Sequence, residues 1–281
     1  TPLQHIIHDS RNIQSLTNNI IWNIFADQEH NIWLGTDYGI SLSRYNSALQ
    51  FIPISQITGT GDGNQFYSLF RDSKGFYWFG GANGLIRFTD PAGERHDAIW
   101  YRMGDKTYPL SHNRIRHIYE DKEQQLWIAT DGSINRYDYA TRQFIHYNIV
   151  DNTGTYNTNW TYYIFEDTAG QLWISTCLGG IFVVDKRKLM QSTSGQYIAE
   201  QNYSVHNGLS GMFINQIIPD NEGNVWVLLY NNKGIDKINP RTREVTKLFA
   251  DELTGEKSPN YLLCDEDGLL WVGFHGGVMR I

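Results

Sequence analysis

Cysteine is scarce in this chain, with only Cys177 and Cys264 among 281 residues. The two occupy different positions of the sequence repeat described below, so no shared structural role is expected. The sequence allows either two free thiols or one isolated bridge. Two cysteines cannot build the dense disulfide framework of small secreted domains, and a disulfide-rich scaffold is therefore excluded.

Positive charge is also in short supply. Lys and Arg total 23 against 30 Asp and Glu, which gives a formal net charge of -7. Nucleic acids and anionic membranes require a basic face, so neither is expected as a partner. No apolar run approaches the roughly 18 residues of a transmembrane helix, and any membrane attachment is expected only through segments absent from this chain. The first residues lack the basic and apolar regions of a signal peptide, as expected for a mature or excised segment.

The motifs of common catalytic and metal sites are missing from the sequence. The nine histidines form no His-x-His or His-Glu-x-x-His pattern. There is no Gly-x-Ser-x-Gly nucleophile turn and no phosphate-binding loop. We therefore expect no catalytic residues, no metal and no cofactor.

An aspartate followed six positions later by a tryptophan recurs six times along the chain. The pairs are Asp27/Trp33, Asp72/Trp78, Asp121/Trp127, Asp167/Trp173, Asp220/Trp226 and Asp265/Trp271. Successive tryptophans of these pairs are 45, 49, 46, 53 and 45 residues apart. A period of this length indicates a supersecondary unit that packs against copies of itself. Because the repeats run from end to end, residues 1–281 are predicted to form a single domain.

Each repeat begins with two short strands joined by a tight turn. An aromatic and apolar run ends at the aspartate, as in residues 20–27, and three or four polar or glycine residues follow. Asp at the first and Gly at the fourth position, as in residues 72–75, are preferred in type I turns. The second strand carries the tryptophan, as in Leu126–Thr130. This pattern predicts a β-hairpin.

Two further strands complete each repeat. A loop with glycine leads to a third strand, as in residues 180–184, and a more polar fourth strand follows, as in Gln143–Tyr147 and Glu244–Leu248. Four short antiparallel strands in about 47 residues are typical of a β-propeller blade. The predicted fold is an all-β, six-bladed β-propeller of four-stranded antiparallel blades.

The repeated residues are expected to be structural. The Asp carboxylate would cap its turn by accepting backbone N–H groups, because a catalytic acid is needed once and not six times. The tryptophan would belong to the core, with its indole N–H bonded to a neighbouring backbone group. Small residues two positions after Trp would let adjacent blades pack closely, and only the fifth copy departs, with Leu228. They are Gly35, Gly80, Ala129, Ser175 and Gly273.

The two ends of the chain complement each other in the repeat pattern. Residues 278–281 stop where a third strand should finish, whereas residues 4–9 resemble a fourth strand without a repeat of its own. An N-terminal strand that completes the last blade would close the ring and remove two exposed sheet edges. We therefore expect a ring closed by the N-terminal strand. The alternative is a fragment of a larger propeller.

The repeat resembles the two-component regulator propeller repeat. The shared pattern is Asp-x-x-x-x-x-Trp-[Ile/Leu/Val]-[Gly/Ala/Ser]-Thr-x-x-Gly-[Ile/Leu], with an Asn eight positions before the Asp at Asn19, Asn64, Asn113 and Asn159. The resemblance spans the whole chain. It implies a periplasmic sensor region of a hybrid two-component system histidine kinase, often for glycan fragments, and a propeller that is not itself an enzyme.

Two neighbouring propeller families fit less well. WD repeats would show Gly-His and Trp-Asp dipeptides, which are missing here, and sialidase-type Asp-boxes place Trp closer to the Asp. A propeller lyase of the kind that opens cyclic peptide antibiotics, or a glycan-processing enzyme, would need two histidines and a metal-holding acid brought together by the fold. A protein-interaction scaffold is a further alternative, since a propeller does not by itself imply a function.

The candidate ligand site lies on loops that differ among the repeats. Loops between second and third strands should share one face with the segments that enter the first strands. Aromatic rings there would stack on the apolar face of a sugar, and amides and carboxylates would bind its hydroxyls. The predicted partner is a soluble small molecule, an oligosaccharide, and a homodimer is compatible with the sequence. The predicted ligand-binding residues are Asp37, Tyr38, Asn83, Arg114, Asp131, Trp160, Tyr230, Asn231 and His275.

Overall fold

The computed structural model describes most of the chain, which forms two compact units. The described residues are 6–45, 51–53, 65–89, 98–107, 109–193, 195–230, 234–249, 253, 258–274 and 277–281. Unit 1 consists of Thr1–Ile128 and Arg136–Phe144, and unit 2 consists of Ala129–Asn135 and Ile145–Ile281. The single domain over residues 1–281 stays a prediction, and the two units are described separately below.

Three sheets account for the first half of the chain. The first contains β1 (Ile21–Ala26), β2 (Ile32–Thr36), β3 (Gly39–Ser43) and β4 (Phe51–Pro53). The second contains β5 (Phe66–Arg71), β6 (Tyr77–Gly81), β7 (Gly84–Phe88) and β8 (Ile99–Tyr101). The third contains β9 (Ile115–Glu120), β10 (Leu126–Thr130), β11 (Ser133–Asp138) and β12 (Gln143–Tyr147).

Three further sheets follow in the second half. The fourth contains β14 (Thr161–Glu166), β15 (Gln171–Thr176), β16 (Ile181–Asp185) and β18 (Gln201–Tyr203). The fifth contains β19 (Ile214–Pro219), β20 (Val225–Leu229), β21 (Ile235–Asn239) and β22 (Glu244–Leu248). Among the described residues the sixth has three strands, β23 (Pro259–Cys264), β24 (Leu270–Phe274) and β25 (Gly277–Arg280).

The predicted fold is confirmed as an all-β, six-bladed β-propeller with almost no helix. Each blade follows chain order, so sequential strands pair with one another through short connections. The predicted fourth strands of the third and fifth repeats coincide with β12 and β22. Among the described residues, no helix is long and apolar enough to cross a membrane.

An insertion in the fourth repeat explains its longer spacing of 53 residues. It contains the short helix α1 (Lys186–Gln191) and the strand β17 (Tyr197–Ile198), which pairs in parallel with β13 (Ile149–Val150), a short strand that precedes the fourth blade. Asp185 caps α1 by accepting from the backbone N–H of Arg187 at 3.0 Å, as N-cap residues do. The sequence pattern did not predict these elements.

Each repeated Asp carboxylate holds its turn and its tryptophan together. In all six copies one oxygen, Oδ2, accepts the indole N–H of the tryptophan six positions later. The distances run from 2.6 Å in the sixth copy to 3.1 Å in the fifth. The other oxygen accepts backbone N–H groups of the turn, as at Glu29 and Asn31 after Asp27. The predicted turn cap is confirmed, but the prediction of a backbone partner for the indole is wrong, because the carboxylate itself lies within reach of the buried ring.

Small residues after the tryptophans permit close packing within unit 1. A Cβ added at Gly35 would lie 2.8 Å from the carbonyl oxygen of Phe66 in the next blade. At Gly80 it would collide with the side chain of Ile115. Trp33 and Ile40 pack in one buried cluster with Leu69 of that next blade. The second strand of one blade thus lies directly against the first strand of its successor.

The strand expected at residues 4–9, which would close the ring, is not observed in the described part of that segment. Residues 6–9 are not in a strand, and Gln4 and His5 lie outside the described residues. Both cysteines are free thiols, with Cys177 buried and Cys264 partly exposed.

Candidate functional site

The loops between second and third strands lie at the same end of their blades as the segments that enter the first strands. In four blades a backbone N–H of the loop between the second and third strands donates to a carbonyl oxygen of the segment that enters the first strand, at 2.9–3.0 Å. These pairs are Asp37 to Ile20, Ala82 to Gln65, Cys177 to Trp160 and Tyr230 to Phe213. The two predicted sets of loops therefore do share one end within each of these blades, which we call the loop end.

A β-bulge marks the first strand of the blades near this end. In β1, Ile21 pairs with Thr36 and Asn23 pairs with Gly35, so the residue between them has no partner across the ladder. The same shift recurs in β5, β14, β19 and β23. Bulges frequently re-aim a side chain beside a functional site. The bulged residues are Trp22, Tyr67, Tyr162, Asn215 and Asn260, each five positions before its Asp.

In unit 1 the bulged aromatic residues join a polar cluster at the loop end. The Trp22 indole N–H donates to Asp37 Oδ1 at 3.1 Å, and the Gln65 amide donates to the same oxygen at 2.7 Å. The Tyr67 hydroxyl donates to Gln65 Oε1 at 2.5 Å. The rings of Trp22 and Tyr67 meet edge to face with centroids 5.5 Å apart. We call Trp22, Asp37, Gln65 and Tyr67 the aromatic–amide cluster.

A cation extends this cluster along unit 1. The Arg116 guanidinium lies 5.7 Å from the centroid of the Tyr67 ring, within the range of a cation–π contact. Arg116 stands five positions before Asp121, so it occupies the bulge position of the third repeat in the sequence. Trp22, Tyr67 and Arg116 thus form a row from three successive repeats. Trp22 remains 51 % exposed, which leaves ring surface available to a ligand.

The other predicted residues of unit 1 are exposed and make separate contacts. Tyr38 is 58 % exposed, and its backbone N–H donates to Thr36 Oγ1 at 3.1 Å. Asn83 is exposed, and its carbonyl oxygen accepts from Arg102 Nε at 3.2 Å. Arg114 is exposed and its backbone N–H donates to His112 Nδ1 at 3.0 Å. Of the predicted residues in unit 1, only Asp37 is a member of the aromatic–amide cluster.

In unit 2 the structure brings Trp160 and Asp131 together. The Trp160 N–H donates to the Asp131 carbonyl oxygen at 3.0 Å, and its own carbonyl accepts from Cys177 at 2.9 Å. Trp160 is 47 % exposed and has φ +55°, a left-handed conformation that is uncommon for a bulky residue and is frequent at functional sites. It lines a cavity of about 320 Å³ together with Thr155, Tyr156, Asn157, Asn159, Leu178 and Gly179.

A second, smaller cavity in unit 2 contains another predicted residue. Tyr230 is 60 % exposed and lines a hollow of about 190 Å³. The bulged residues Tyr162 and Asn215 also line it, as do Cys177, Phe213 and Ile214. This hollow repeats the arrangement of unit 1, in which bulged residues meet the loop between second and third strands. The predicted Asn231 and His275 lie outside the described residues.

Sequence reasoning missed Trp22, Gln65, Tyr67 and Tyr162. Trp22 stands in the apolar run of residues 20–27, which by itself predicts a strand and not a ligand site. The signal that could have identified it is divergence among repeats, because the position five before each Asp holds Trp, Tyr, Arg, Tyr, Asn and Asn. A bulge itself is not visible in a single sequence, since it depends on the register between two strands.

Three segments of the chain, residues 15–38, 60–83 and 109–132, match the family model described as "Two component regulator propeller". The chain carries two-component regulator propeller repeats. Each matched segment covers the first strand, the Asp turn and the tryptophan strand of its repeat. The first two include Trp22 with Asp37 and Gln65 with Tyr67, so the aromatic–amide cluster lies on the repeats of this family. Among curated proteins, none matches the chain.

Solved structures with nearly the same sequence come from B. thetaiotaomicron. Two crystal structures of the extracellular domain of BT4673, called a one-component system in one and a hybrid two-component system in the other, are 99% identical over 100% of this chain. Their TM-score is 0.80, and this chain spans 38% of their length. The chain is therefore similar to one part of the extracellular domain of a hybrid two-component system. It is an extracytoplasmic segment, in keeping with the periplasmic location that the resemblance implies.

More distant structures share the propeller fold. The extracellular domain of the hybrid two-component system BT3049 from B. thetaiotaomicron is 21% identical, with a TM-score of 0.75 over 98% of this chain and 34% of that chain. Virginiamycin B lyase from Staphylococcus aureus is 14% identical, with a TM-score of 0.66 over 96% of this chain and 86% of that chain. At these identities the likeness concerns the fold alone.

Proposed function

We propose that this chain is a ligand-sensing part of the extracytoplasmic region of a hybrid two-component receptor, and that it binds a soluble oligosaccharide without chemical turnover. The observation that carries the proposal is the aromatic–amide cluster at the loop end of unit 1. It combines exposed ring surface with fixed polar groups on one rigid strand-and-turn scaffold. Sites built in this way suit a ligand that is apolar on one side and rich in hydroxyls on its edge.

The rings of the cluster supply the apolar part of such a site. Trp22 and Tyr67 meet edge to face, so their two planes, which are 83° apart, form a corner and not a flat plate. The hydrogen bond from Trp22 to Asp37 fixes the indole in this orientation. A pyranose ring stacked on the exposed indole face would therefore meet a preformed surface, and little side-chain freedom would be lost on binding.

The polar groups supply the acceptors and donors that sugar hydroxyls require. Both hydrogen bonds to Asp37 end on Oδ1, and among the described residues no side chain or backbone donor bonds to Oδ2. A carboxylate oxygen in this state can accept a charge-assisted hydrogen bond from a hydroxyl. The amide of Gln65 is held between Asp37 and Tyr67, which orients this side chain without any ligand. Oriented amide and carboxylate groups can bind sugar hydroxyls without carrying out a reaction on them.

The remaining predicted residues extend the proposal to unit 2. In unit 2, Trp160 with Asp131 beside it would form a separate stacking site for such a ligand, in the cavity of about 320 Å³. Tyr230 would serve the smaller hollow, which it shares with Tyr162 and Asn215. Asn231 and His275 stay in the proposal on the sequence argument alone. Tyr38, Asn83 and Arg114 stay in it because they are exposed in the structure.

The test is a glycan-array screen of the extracellular domain, followed by binding measurements with the best glycan. Trp22→Ala and Tyr67→Ala should each weaken binding at least about tenfold, since loss of an aromatic anchor commonly costs a few kcal/mol. Tyr45→Ala is the matched control, because Tyr45 is 60 % exposed and its ring contacts His30 of the Asp27 turn, not the residues of the cluster. Affinity that is unchanged in both cluster variants would contradict the proposed site.

The enzyme alternative is tested with the same glycan. A sensor should return the bound glycan intact, whereas a lyase or hydrolase would release shortened or unsaturated products that chromatography separates. Product formation that disappears in a variant of the cluster would establish an enzyme. Absence of any glycan binding, together with specific binding of a protein from the same membrane, would favour the interaction scaffold.

A further inference from the structure

Unit 2 contains a larger cavity than the two described above, and none of the predicted site residues lines it. Its volume is about 490 Å³, within the roughly 300–1,000 Å³ of ligand pockets. One wall is the loop of residues 151–156, which leads toward the fourth blade, and the other is the segment of residues 199–207, which includes β18. We call it the insertion cavity, because its second wall follows α1 and β17 in the chain.

Hydrogen bonds fix the walls of the insertion cavity without any ligand. The Asp151 carboxylate accepts from the backbone N–H of Tyr156 at 2.8 Å, and the Asp151 N–H donates to the Tyr156 carbonyl oxygen at 3.0 Å. The Ala199 N–H donates to the Val150 carbonyl oxygen at 2.9 Å and joins the two walls. The Tyr156 hydroxyl lies 3.4 Å from Nε2 of His206, on the opposite wall. The cavity is therefore preformed, and binding would cost little ordering of the protein.

Uncharged polar groups of the lining residues are available to a ligand. Among the described residues, none bonds to the side-chain amide of Asn152, to Oε1 of Gln201 or to Oδ1 of Asn202. The amide N–H₂ groups of Gln201 and Asn202 donate to the carbonyl oxygens of Asn202 at 3.2 Å and Gly179 at 2.9 Å, which anchors both side chains. Their free oxygens can accept from sugar hydroxyls, and the Asn152 amide can both donate and accept. The ring of Tyr156 adds apolar surface.

The carboxylates that line the cavity are already bonded within the protein. Glu200 accepts from the Tyr197 hydroxyl and from the Asp185 backbone N–H, both at 2.8 Å, and Lys188 pairs with it at 3.5 Å. Burial by itself raises the pKa of Asp151, but hydrogen bonds within its loop outweigh burial and keep the pKa below 3.8. No Lys or Arg, the side chains that bind anionic groups, is among the lining residues. A uronate or sulfated sugar would therefore meet two carboxylates and no lining Lys or Arg.

The insertion cavity adjoins the cavity of Trp160. Thr155 and Tyr156 line both, so only this part of one loop lies between them. Resting on the proposed function, we propose that the two cavities form one binding groove of unit 2. Trp160 stacks one sugar residue in it, and the insertion cavity takes a further, uncharged sugar residue of the same oligosaccharide. The groove thus selects neutral chains of more than one sugar over monosaccharides and over acidic glycans.

The first test measures how affinity depends on glycan length. The probes are β-glucan, mannan and galactan oligosaccharides of increasing length, titrated calorimetrically into the extracellular domain with Trp22→Ala, which weakens the unit 1 site. In His206→Ala the longer members should bind at least about fivefold more weakly, the worth of one or two hydrogen bonds, while affinity for the shortest stays unchanged. Asn152→Trp should act in the same way, because its ring would fill part of the cavity. Val205→Ala is the control, since Val205 lies beside His206, is 45 % exposed and does not line the cavity.

The second test compares each oligosaccharide with its C6-oxidised counterpart, which carries uronate groups. The oxidised form should bind at least about fivefold more weakly, because like charges repel, and the difference should shrink in Asn152→Trp. Equal or tighter binding of the oxidised form would overturn the preference for neutral sugars. Equal affinities of the longer members in His206→Ala, Asn152→Trp and Val205→Ala would overturn the groove and leave the proposed function standing. If the wild type binds none of these glycans, the groove and the proposed function fail together.

Discussion

The carboxylate of Asp27 offers the sharpest test of how the repeated motif stabilises a blade. Asp27 is 6 % exposed, and its Oδ2 accepts from Trp33 at 2.8 Å, from the Asn31 amide at 3.0 Å and from Tyr77 at 3.2 Å. Its Oδ1 accepts from the backbone N–H groups of Glu29 and Asn31. One side chain therefore satisfies five donors, two of which belong to fully buried aromatic residues.

The magnitude follows from the donors that are left without an acceptor. In Asp27→Ala the Trp33 indole N–H stays buried without an acceptor, which costs roughly 1–3 kcal/mol, and the turn loses its cap, which costs about 1–2 kcal/mol more. The Tyr77 hydroxyl keeps only its longer bond to Glu29 Oε2 at 3.3 Å. We expect a total loss of about 3–5 kcal/mol in the free energy of unfolding, at the high end for a single substitution. Asp27→Asn should lower the free energy of unfolding by about 1–3 kcal/mol, because its amide N–H₂ would face the indole N–H, and both groups are donors. The Tyr77 hydroxyl can turn and accept from the same amide.

Urea unfolding of the extracellular domain, followed by far-UV circular dichroism, measures these differences. Asp267→Ala is the control, because Asp267 is an exposed turn residue whose loss should stay within about 0.5 kcal/mol. Adding Trp33→Phe to Asp27→Asn removes the opposed donor, so the double variant should lose less than the sum of the single variants by about 1 kcal/mol. A loss below about 1 kcal/mol in Asp27→Ala, or strict additivity in the double variant, would refute the reasoning.

The lowered pKa of Asp27 also predicts how the stability of the fold depends on pH. Burial by itself raises the pKa of Asp27, but hydrogen bonds from Trp33, Asn31 and Tyr77 outweigh burial and hold the pKa below its usual value of 3.8. The contribution to stability is therefore present above pH 3.8 and is lost as the pH falls through the lowered pKa. The difference in stability between the wild type and Asp27→Ala should shrink in that acid range.

Three other predictions concern separate parts of the chain. Trp160→Ala should weaken glycan binding at least about tenfold with an unchanged melting temperature, and unchanged affinity would remove Trp160 from the site. Gly35→Ala should destabilise the domain by roughly 1–3 kcal/mol, because the added methyl group would press against the Phe66 carbonyl oxygen. Gly195→Ala is the control, since Gly195 has open space around it, and equal effects of the two variants in urea unfolding would contradict this reasoning. Burial lowers the pKa of His117 to about 3, so its contribution to stability is present above its usual value of 6.5 and is lost as pH falls toward 3. The unfolding midpoint should drop over that range in the wild type and less in His117→Gln.

The blades could be predicted from sequence because their signals are local. The type I turn at each Asp, the alternation of strands and turns, and the period of the tryptophans all lie within one repeat. The fourth strands at β12 and β22 were predicted to the residue for this reason. The partner of each indole was predicted wrongly, since the choice between a carboxylate and a backbone acceptor depends on the three-dimensional course of the turn.

The candidate site depends on tertiary structure. Trp22 and Ile24 belong to one apolar run, yet the bulge in β1 places Trp22 beside Asp37 and Gln65. Ile24 has the same residue type as Ile118 and Ile164, yet it is 68 % exposed whereas they are buried. Neither fact is present in the spacing of the residues. Helix α1 was likewise missed, because its six residues carry too short a pattern to indicate a helix.

The most direct test of the proposed function is a calorimetric titration of the extracellular domain with the glycan selected on the array, carried out for the wild type, Trp22→Ala and Tyr45→Ala. The proposal predicts saturable binding in the wild type and in Tyr45→Ala, a loss of at least about tenfold in affinity in Trp22→Ala, and a glycan that is recovered intact. Equal affinities in all three proteins, or a glycan recovered as cleaved products, would contradict it.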